Sequence, residues 1–431
     1  MYQIYPRSFQ DSNGDGIGDL AGIESRLDHL TYLGVDALWL SPIYPSPLAD
    51  MGYDVADHCG VAPEFGGLEA FSRLVASAHD RGLRVLPDYV PSHTSIEHPW
   101  FREHPEYYVW ADEPPNNWVA AFGGPAWTRD EPTGRFYLHS FYPEQPDLDW
   151  RVPEVRQAMG DVVRFWLDLG VDGFRVDALQ QLMKDADLRD DPLATTPFLL
   201  PLGDEYGRLE HVHSEAGPEI EVALAAIREA AGDAFLVGEV YRPTADLGPY
   251  TRHLDRAFAF ELLHAPFEAW RLAEVINAGA AQGKVAWALS NHDFPRLATR
   301  LGEENAAKAA TILLTLPGPV FLYQGDEIGM VDGAGAEPPF DRAGRDAHRH
   351  PMQWEDGPRG GFTTGTPWLG LTDPGRRSVA AQRGVDSSLL ELHRRLIARR
   401  RELAGPVEAE ARGARLALRR GDHQVVLDLD G

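Results

Sequence analysis

Short apolar runs recur along the chain, separated by longer segments with helical spacing. The strand-like runs are ALWLSP (37–42), LRVLPDYV (83–90), VDGFRVD (171–177), FLVGEVY (235–241), KVAWALSNHD (284–293) and PVFLYQGDE (319–327). They are rich in Val, Leu and aromatic residues and are bounded by Gly, Pro or Asp, which predicts buried strands. Between them lie amphipathic stretches. LEAFSRLVASAHDRG (68–82) stops at a glycine, and PEVRQAMGDVVRFWLDLG (153–170) starts with proline and stops at a glycine. Those residues open and close helices. A regular alternation of β and α predicts a parallel sheet.

The polar positions choose between the two kinds of parallel sheet. Each run carries charged residues or histidine at its C-terminal end: Asp88 and His93, Arg175 and Asp177, Glu239, His292 and Asp293, Glu327. A closed (β/α)8 TIM barrel collects its site from the C-terminal ends of many strands. An open doubly wound sheet uses one switch point and usually a Gly-rich phosphate turn, and no G-x-G-x-x-G follows the first run. The barrel is the expected α/β fold. Two segments break the rhythm. Residues 94–150 are dense in Trp, Tyr, Pro and Asn and read as a β-rich insertion after the third strand, and 331–375 read as a long Gly/Pro-rich functional loop. A terminal helix over 388–403 precedes two last strand-like runs, ARLALRR and HQVVLDLD. The expected organisation is barrel (1–93), inserted domain B (94–150), barrel (151–403) and a partial C-terminal β domain (404–431).

Composition narrows the partners. The 431 residues carry 40 Lys and Arg against 66 Asp and Glu, a net charge of −26, which argues against nucleic acid and for a small neutral ligand. The single cysteine, Cys59, excludes an intramolecular disulfide and a Cys-based metal site. No apolar run reaches the roughly 20 residues that span a bilayer, and MYQIYPRSFQ lacks the features of a signal peptide. The expectation is a soluble cytoplasmic protein, monomer or dimer, that does not meet a membrane.

Two carboxylates then stand out. Arg175 and Asp177 share one face of their strand, and a guanidinium beside a carboxylate is expected to keep Asp177 ionised, as a nucleophile needs. Glu239 follows the apolar run 235–238, where desolvation suits a general acid. One ionised and one protonated carboxyl group in a cleft is what glycoside hydrolysis uses. Any one of these acids alone is more often a helix cap or a surface ion pair; clusters at four strand ends together are not.

The segments QIYPRSFQDSNGDGIGDL (3–20), DMGYDVADHCGVAPEFG (50–66), DYVPSHTS (88–95), QPDLDW (145–150), DGFRVDA (172–178), VGEVY (237–241), SNHD (290–293) and RDAHRHPMQW (345–354) resemble, in order, those of the α-amylase family, glycoside hydrolase family 13, in its α-glucosidase and oligo-1,6-glucosidase branch. The resemblance implies Asp177 as nucleophile, Glu239 as acid/base and Asp293 as transition-state stabiliser. It implies a glucose pocket from Asp50, Tyr53, His93, Arg175, His292 and Arg349, with Phe122 and Phe141 at the entrance and Ala178 between the −1 and +1 sugars. Tyr53 can stack on a pyranose face, while the histidines, Asp50 and Arg349 offer fixed donors and acceptors to hydroxyls. The expected activity is a retaining, exo-acting α-glucosidase that favours α-1,4 and sucrose-type bonds and can transfer glucose. The alternatives are an oligo-1,6-glucosidase, a sucrose isomerase, a trehalose-forming enzyme or, remotely, a non-catalytic transporter-associated relative.

Asp11, Asn13, Asp15, Ile17 and Asp19 copy positions 1, 3, 5, 7 and 9 of a calcium loop, but position 12 is Gly22 instead of a bidentate Glu. Spacing alone allows a metal site or an Asx-rich turn capping the first helix; the resemblance implies structural calcium or magnesium, and no organic cofactor. His211/His213 and His348/His350 read as surface polarity. Two departures from the family pattern concern the site: Ser92 stands where Asn is usual, which predicts a looser hold on His93, and Asp149 replaces Asn. The family also carries more C-terminal strands than the runs visible here.

Overall fold

The computed structural model describes residues 1–195 and 205–430. Its strands in chain order are β1 (Tyr2–Ile4), β2 (Ala37–Leu40), β3 (Arg84–Tyr89), β4 (Trp110–Ala111), β5 (Trp127–Arg129), β6 (Phe136–Leu138), β7 (Gly173–Val176), β8 (Phe235–Gly238), β9 (Arg256–Phe258), β10 (Val285–Ala288), β11 (Val320–Tyr323), β12 (Val407–Arg412), β13 (Arg415–Arg420) and β14 (His423–Asp428). β1-β11-β10-β9-β8-β7-β3-β2 close into a barrel, the fold the alternation predicts. Among the described residues no helix is long and apolar enough to cross a membrane.

The chain divides into two compact units. The first contains Met1–Ser41, Pro63–Leu86 and Phe258 onward. In it β1 pairs in parallel with β2 and β11, and β10 pairs with β11. β12, β13 and β14 form an antiparallel sheet. Asn277, on the helix Ala269–Gln282, ties that sheet down, donating to the Ala409 carbonyl at 2.8 Å and accepting from its N–H at 2.9 Å.

The second unit contains Pro42–Ala62 and Pro87–Ala257. β7 pairs in parallel with both β3 and β8, in a register that aligns Asp88 with Arg175 and Arg175 with Val237. The helix Pro153–Asp168 begins at its proline and buries Val155, Met159, Val162, Val163 and Trp166, the 3.6-residue stripe read in the sequence. The insertion after β3 is less β-rich than its composition predicts. Its sheet, β4-β6-β5, is built from strands of two or three residues, preceded by a helical turn at Pro99–Glu103. Its order comes from packing, with Trp118, Ala126, Trp127 and Leu138 forming a buried core.

Candidate active site

In the second unit the chemistry is gathered around one guanidinium. Past the ends of β7 and β8 the ladder continues, Asp177 N–H to the Tyr89 carbonyl and Glu239 N–H to the Val176 carbonyl, each at 2.8 Å. Both acids are thereby fixed by backbone before any side chain acts. Arg175, fully buried, donates through Nη1 to Asp177 Oδ1 and Asp88 Oδ1, each at 2.6 Å, and through Nη2 to Glu239 Oε2. Two glycines of the motifs make the close approach feasible. A side chain at Gly173 would bring its Cβ within 2.1 Å of the Phe235 carbonyl oxygen, and one at Gly238 within 2.4 Å of Leu179. Ala178, the residue after the nucleophile candidate, adopts the left-handed region at φ 43° and ψ 44°. That turn aims its N–H at Glu239 Oε2, 3.2 Å away, and such strain in a non-glycine residue clusters at functional sites.

The electrostatics correct one expectation. Arg175 does not hold Asp177 low. Burial, with Glu239 and Asp88 beside it, pushes the Asp177 carboxyl well above its ordinary value despite the guanidinium. Asp88 is likewise pushed up to about 6 by burial, against the pull of Arg175 and with a further push from Glu239. Three buried carboxyl groups facing one guanidinium carry more negative charge than it neutralises, and Asp177 and Asp88 hold their protons more tightly for it. The ionised and protonated roles are therefore not assigned to separate residues in the resting site.

Asp50, Tyr53 and His93, expected as sugar contacts, gather in the same unit. Tyr53 donates its hydroxyl to Asp88 Oδ2 at 2.9 Å, and Arg175 lies 5.9 Å above its ring. Gln145 donates to Asp50 Oδ2 at 3.0 Å and lies 3.1 Å from His93 Nε2. Phe141 packs against His93 at 5.2 Å and Phe122 against Phe141 at 5.8 Å, so the two entrance aromatics lie together. Burial lowers His93, which keeps its ring neutral. Ser92, expected to hold this histidine more loosely than Asn, places its hydroxyl 2.9 Å from His93 Nδ1. Ser92→Ala should lower kcat/KM about five- to tenfold, the worth of roughly one hydrogen bond, as read by steady-state kinetics. Asp149 accepts from the Arg151 N–H at 3.0 Å and shapes the turn ahead of the 153–168 helix.

The first unit holds a second cluster around Asp293. Its Oδ1 accepts from Arg345 Nη1 at 2.9 Å and Arg349 Nη2 at 3.2 Å, and His292 Nε2 stands 3.5 Å away. Arg349 also donates through Nε to the His292 carbonyl at 2.9 Å. Arg345 is clamped by a two-point fork onto Asp341, at 2.7 and 3.0 Å. Although burial opposes it, that fork holds the Asp341 carboxyl at about 2. Arg345 and Asp88, left without a role by the sequence reading, are side-chain partners of the candidate site residues Asp293 and Arg175. The signal was present, since Arg345 opens RDAHRHPMQW and Asp88 opens DYVPSHTS.

The description "Alpha amylase, catalytic domain" fits residues 3–405. The chain belongs to the alpha-amylase family. It is 41% identical to a probable alpha-glucosidase of Rhizobium meliloti (strain 1021), over 97% of this chain and 86% of that protein. It is 35% identical to an oligo-1,6-glucosidase of Parageobacillus thermoglucosidasius, over 93% and 83%. The solved structure of an alpha-glucosyl transfer enzyme, XgtA, superimposes with a TM-score of 0.94 at 38% identity, covering 99% of this chain and 90% of that one.

The family's loop at 11–19 resolves into Asx turns. Asp11 Oδ1 accepts from the N–H groups of Asn13 and Gly14, and Oδ2 accepts from Gly16 and from the Thr363 hydroxyl. Asp19 accepts from Ser12 and, as the N-cap of the helix Leu20–Ser25, from Gly22. Asn13 and Asp15 each accept from the N–H two residues on, that of Asp15 and that of Ile17. Among the described residues no three His, Cys, Asp or Glu side chains gather where they could hold a metal ion. The side-chain oxygens of the loop thus already accept hydrogen bonds from its own amides and from Thr363. The His-x-His pairs are not simple surface polarity either: His211 is buried against the Tyr206 ring at 3.7 Å, and His350 is buried with Nε2 2.9 Å from the Ala334 carbonyl oxygen.

Proposed function

We propose that this chain is a retaining, exo-acting α-glucosidase of short neutral oligosaccharides. The observation that carries the proposal is the pair Asp177 and Glu239, fixed past adjacent strand ends and drawn onto one buried arginine. The first step requires Asp177 ionised and the proton on Glu239: an Asp177 carboxylate oxygen attacks the anomeric carbon while Glu239 passes that proton to the departing glycosidic oxygen. The C–O bond to the aglycone breaks as the glucosyl–Asp177 ester forms. In the second step Glu239 takes a proton from water, whose oxygen displaces Asp177. Asp293, held between two guanidinium groups, carries negative charge to the oxocarbenium-like transition state. Likeness to an alpha-glucosyl transfer enzyme supports a second outcome at the same ester, in which a sugar hydroxyl replaces water. Proton NMR of maltose hydrolysis tests the stereochemistry: glucose should appear first as the α anomer, and β-glucose first overturns the mechanism.

Ala178 carries the linkage part of the proposal. A stiff, β-branched valine there would fill the space beside the +1 sugar of an α-1,4 bond, whereas Ala leaves it open. Maltose should be preferred to isomaltose, and Ala178→Val should shift the kcat/KM ratio toward isomaltose by about tenfold or more. A preference for isomaltose with Ala178 in place contradicts this.

A divalent cation on the 11–19 loop is a separate proposal, supported by its run of hard oxygen donors. Calcium added to chelator-treated protein should raise Tm without changing kcat. An unmoved Tm would leave the Asx turns as the loop's whole role.

A further inference from the structure

Gln3 is a buried polar residue to which neither the motif nor the proposed mechanism gives a role. It lies at the middle of β1, between Trp39 of β2 and Tyr323 of β11. Its side chain reaches His292, Nε2 standing 2.7 Å from His292 Nδ1 and 3.2 Å from Ser41 Oγ. Gln3 is 1% exposed and His292 is fully buried, so no water competes for this contact. We propose that Gln3 is a positioning residue that holds His292 neutral, with its proton on Nε2, so that the ring presents a fixed donor to the sugar. This inference rests on the α-glucosidase reading for what the donor meets.

The geometry fixes the proton from both sides. His292 Nε2 lies 3.5 Å from the Asp293 carboxylate, and a nitrogen facing a carboxylate keeps its hydrogen. Nδ1 is then the acceptor and needs a donor, which the Gln3 amide nitrogen supplies. Turning the amide over would bury an NH2 with two unused hydrogens, whereas the orientation present leaves only Oε1 without a partner. Protonating His292 fully would set an Nδ1–H against the Gln3 N–H, donor against donor. Gln3 thus opposes the imidazolium that Asp293 alone would favour. Aromatic rings flank the imidazole. Tyr5 stacks on it at 5.8 Å and Trp39 meets it edge-on at 6.0 Å. Arg349 binds the backbone carbonyl of His292 and, with Arg345, the Asp293 carboxylate.

The test reads the proton directly. In protein labelled with nitrogen-15 at histidine, the His292 signals are those that vanish in His292→Asn. In the wild-type chain Nδ1 should show the shift of an unprotonated acceptor and Nε2 that of an N–H, unchanged from about pH 5 to pH 8. Gln3→Glu replaces the donor by an acceptor, so His292 should take up a second proton as pH falls. With p-nitrophenyl α-D-glucoside the kcat/KM of Gln3→Glu should then fall about tenfold or more at the acid end and recover toward pH 8. Gln3→Met, with neither donor nor acceptor, should lose activity evenly across pH. A wild-type proton on Nδ1, or the same His292 titration in wild type and Gln3→Glu, would overturn the proposal while leaving the α-glucosidase reading intact. Failure of the wild-type chain to hydrolyse the glucoside would overturn that reading and leave the tautomer measurement standing.

Discussion

Asp177→Asn is expected to lower kcat by about 10⁴-fold or more while leaving the chain at least as stable as before. An amide oxygen cannot form the glucosyl ester, so the first step has no nucleophile. The stability result comes from the same cluster. Asp177, Asp88 and Glu239 crowd one guanidinium, and burial pushes Asp177 well above its ordinary value. Removing one acid relieves that crowding, so Tm should rise. Kinetics and thermal melting measured together check both halves. A full loss of activity with a lowered Tm would mean that Asp177 serves the fold more than the chemistry. Glu239→Gln should differ in kind: maltose hydrolysis should collapse, while p-nitrophenyl α-D-glucoside, which needs little proton assistance, should retain far more of its first step.

Arg175→Met should be the most damaging single change to stability. It leaves three buried carboxyl groups without the cation they share, a loss of about 3–5 kcal/mol at neutral pH. The pH dependence has a definite sign. Asp88, pushed up to about 6 from an ordinary 3.8, binds its proton more tightly in the fold than in the unfolded chain. Its contribution therefore favours the fold at low pH and is lost as pH rises through about 6. Without Arg175 the Asp88 and Asp177 carboxyls rise further, so the variant should recover toward wild type as pH falls from 7 to 5. Urea midpoints at the two pH values check this, and a deficit that is the same at both would contradict this account.

The barrel was legible because its central strands are continuous apolar runs with charged ends. Gly173–Val176, Phe235–Gly238, Val285–Ala288 and Val320–Tyr323 all lie inside runs marked by the sequence. β9 was missed because three residues, Arg256–Phe258, are too short to show a period, and it is their place in the barrel between β8 and β10 that makes them a strand. β12, VEAEAR, alternates small and charged residues and gave no apolar signal. In the site, the acids were readable from strand-end position and motif, but their electrostatic roles were not. Those depend on how many carboxylates converge on Arg175, and Asp88 lies 87 residues away in sequence. The same limit hid Arg345 and Gln3, whose partners Asp293 and His292 are 52 and 289 residues distant. Ser92 is the local case: the hydroxyl that stands in the place of the usual Asn reaches the ring of the very next residue, His93.

The central claim, a covalent glucosyl ester on Asp177, is tested most directly by trapping it. The wild-type chain, inactivated with 5-fluoro-α-D-glucosyl fluoride and digested with protease, should give one labelled peptide by mass spectrometry, with fragmentation placing the sugar on Asp177. A label on Glu239 or on Asp293, or steady turnover of the reagent with no ester formed at all, would contradict the account.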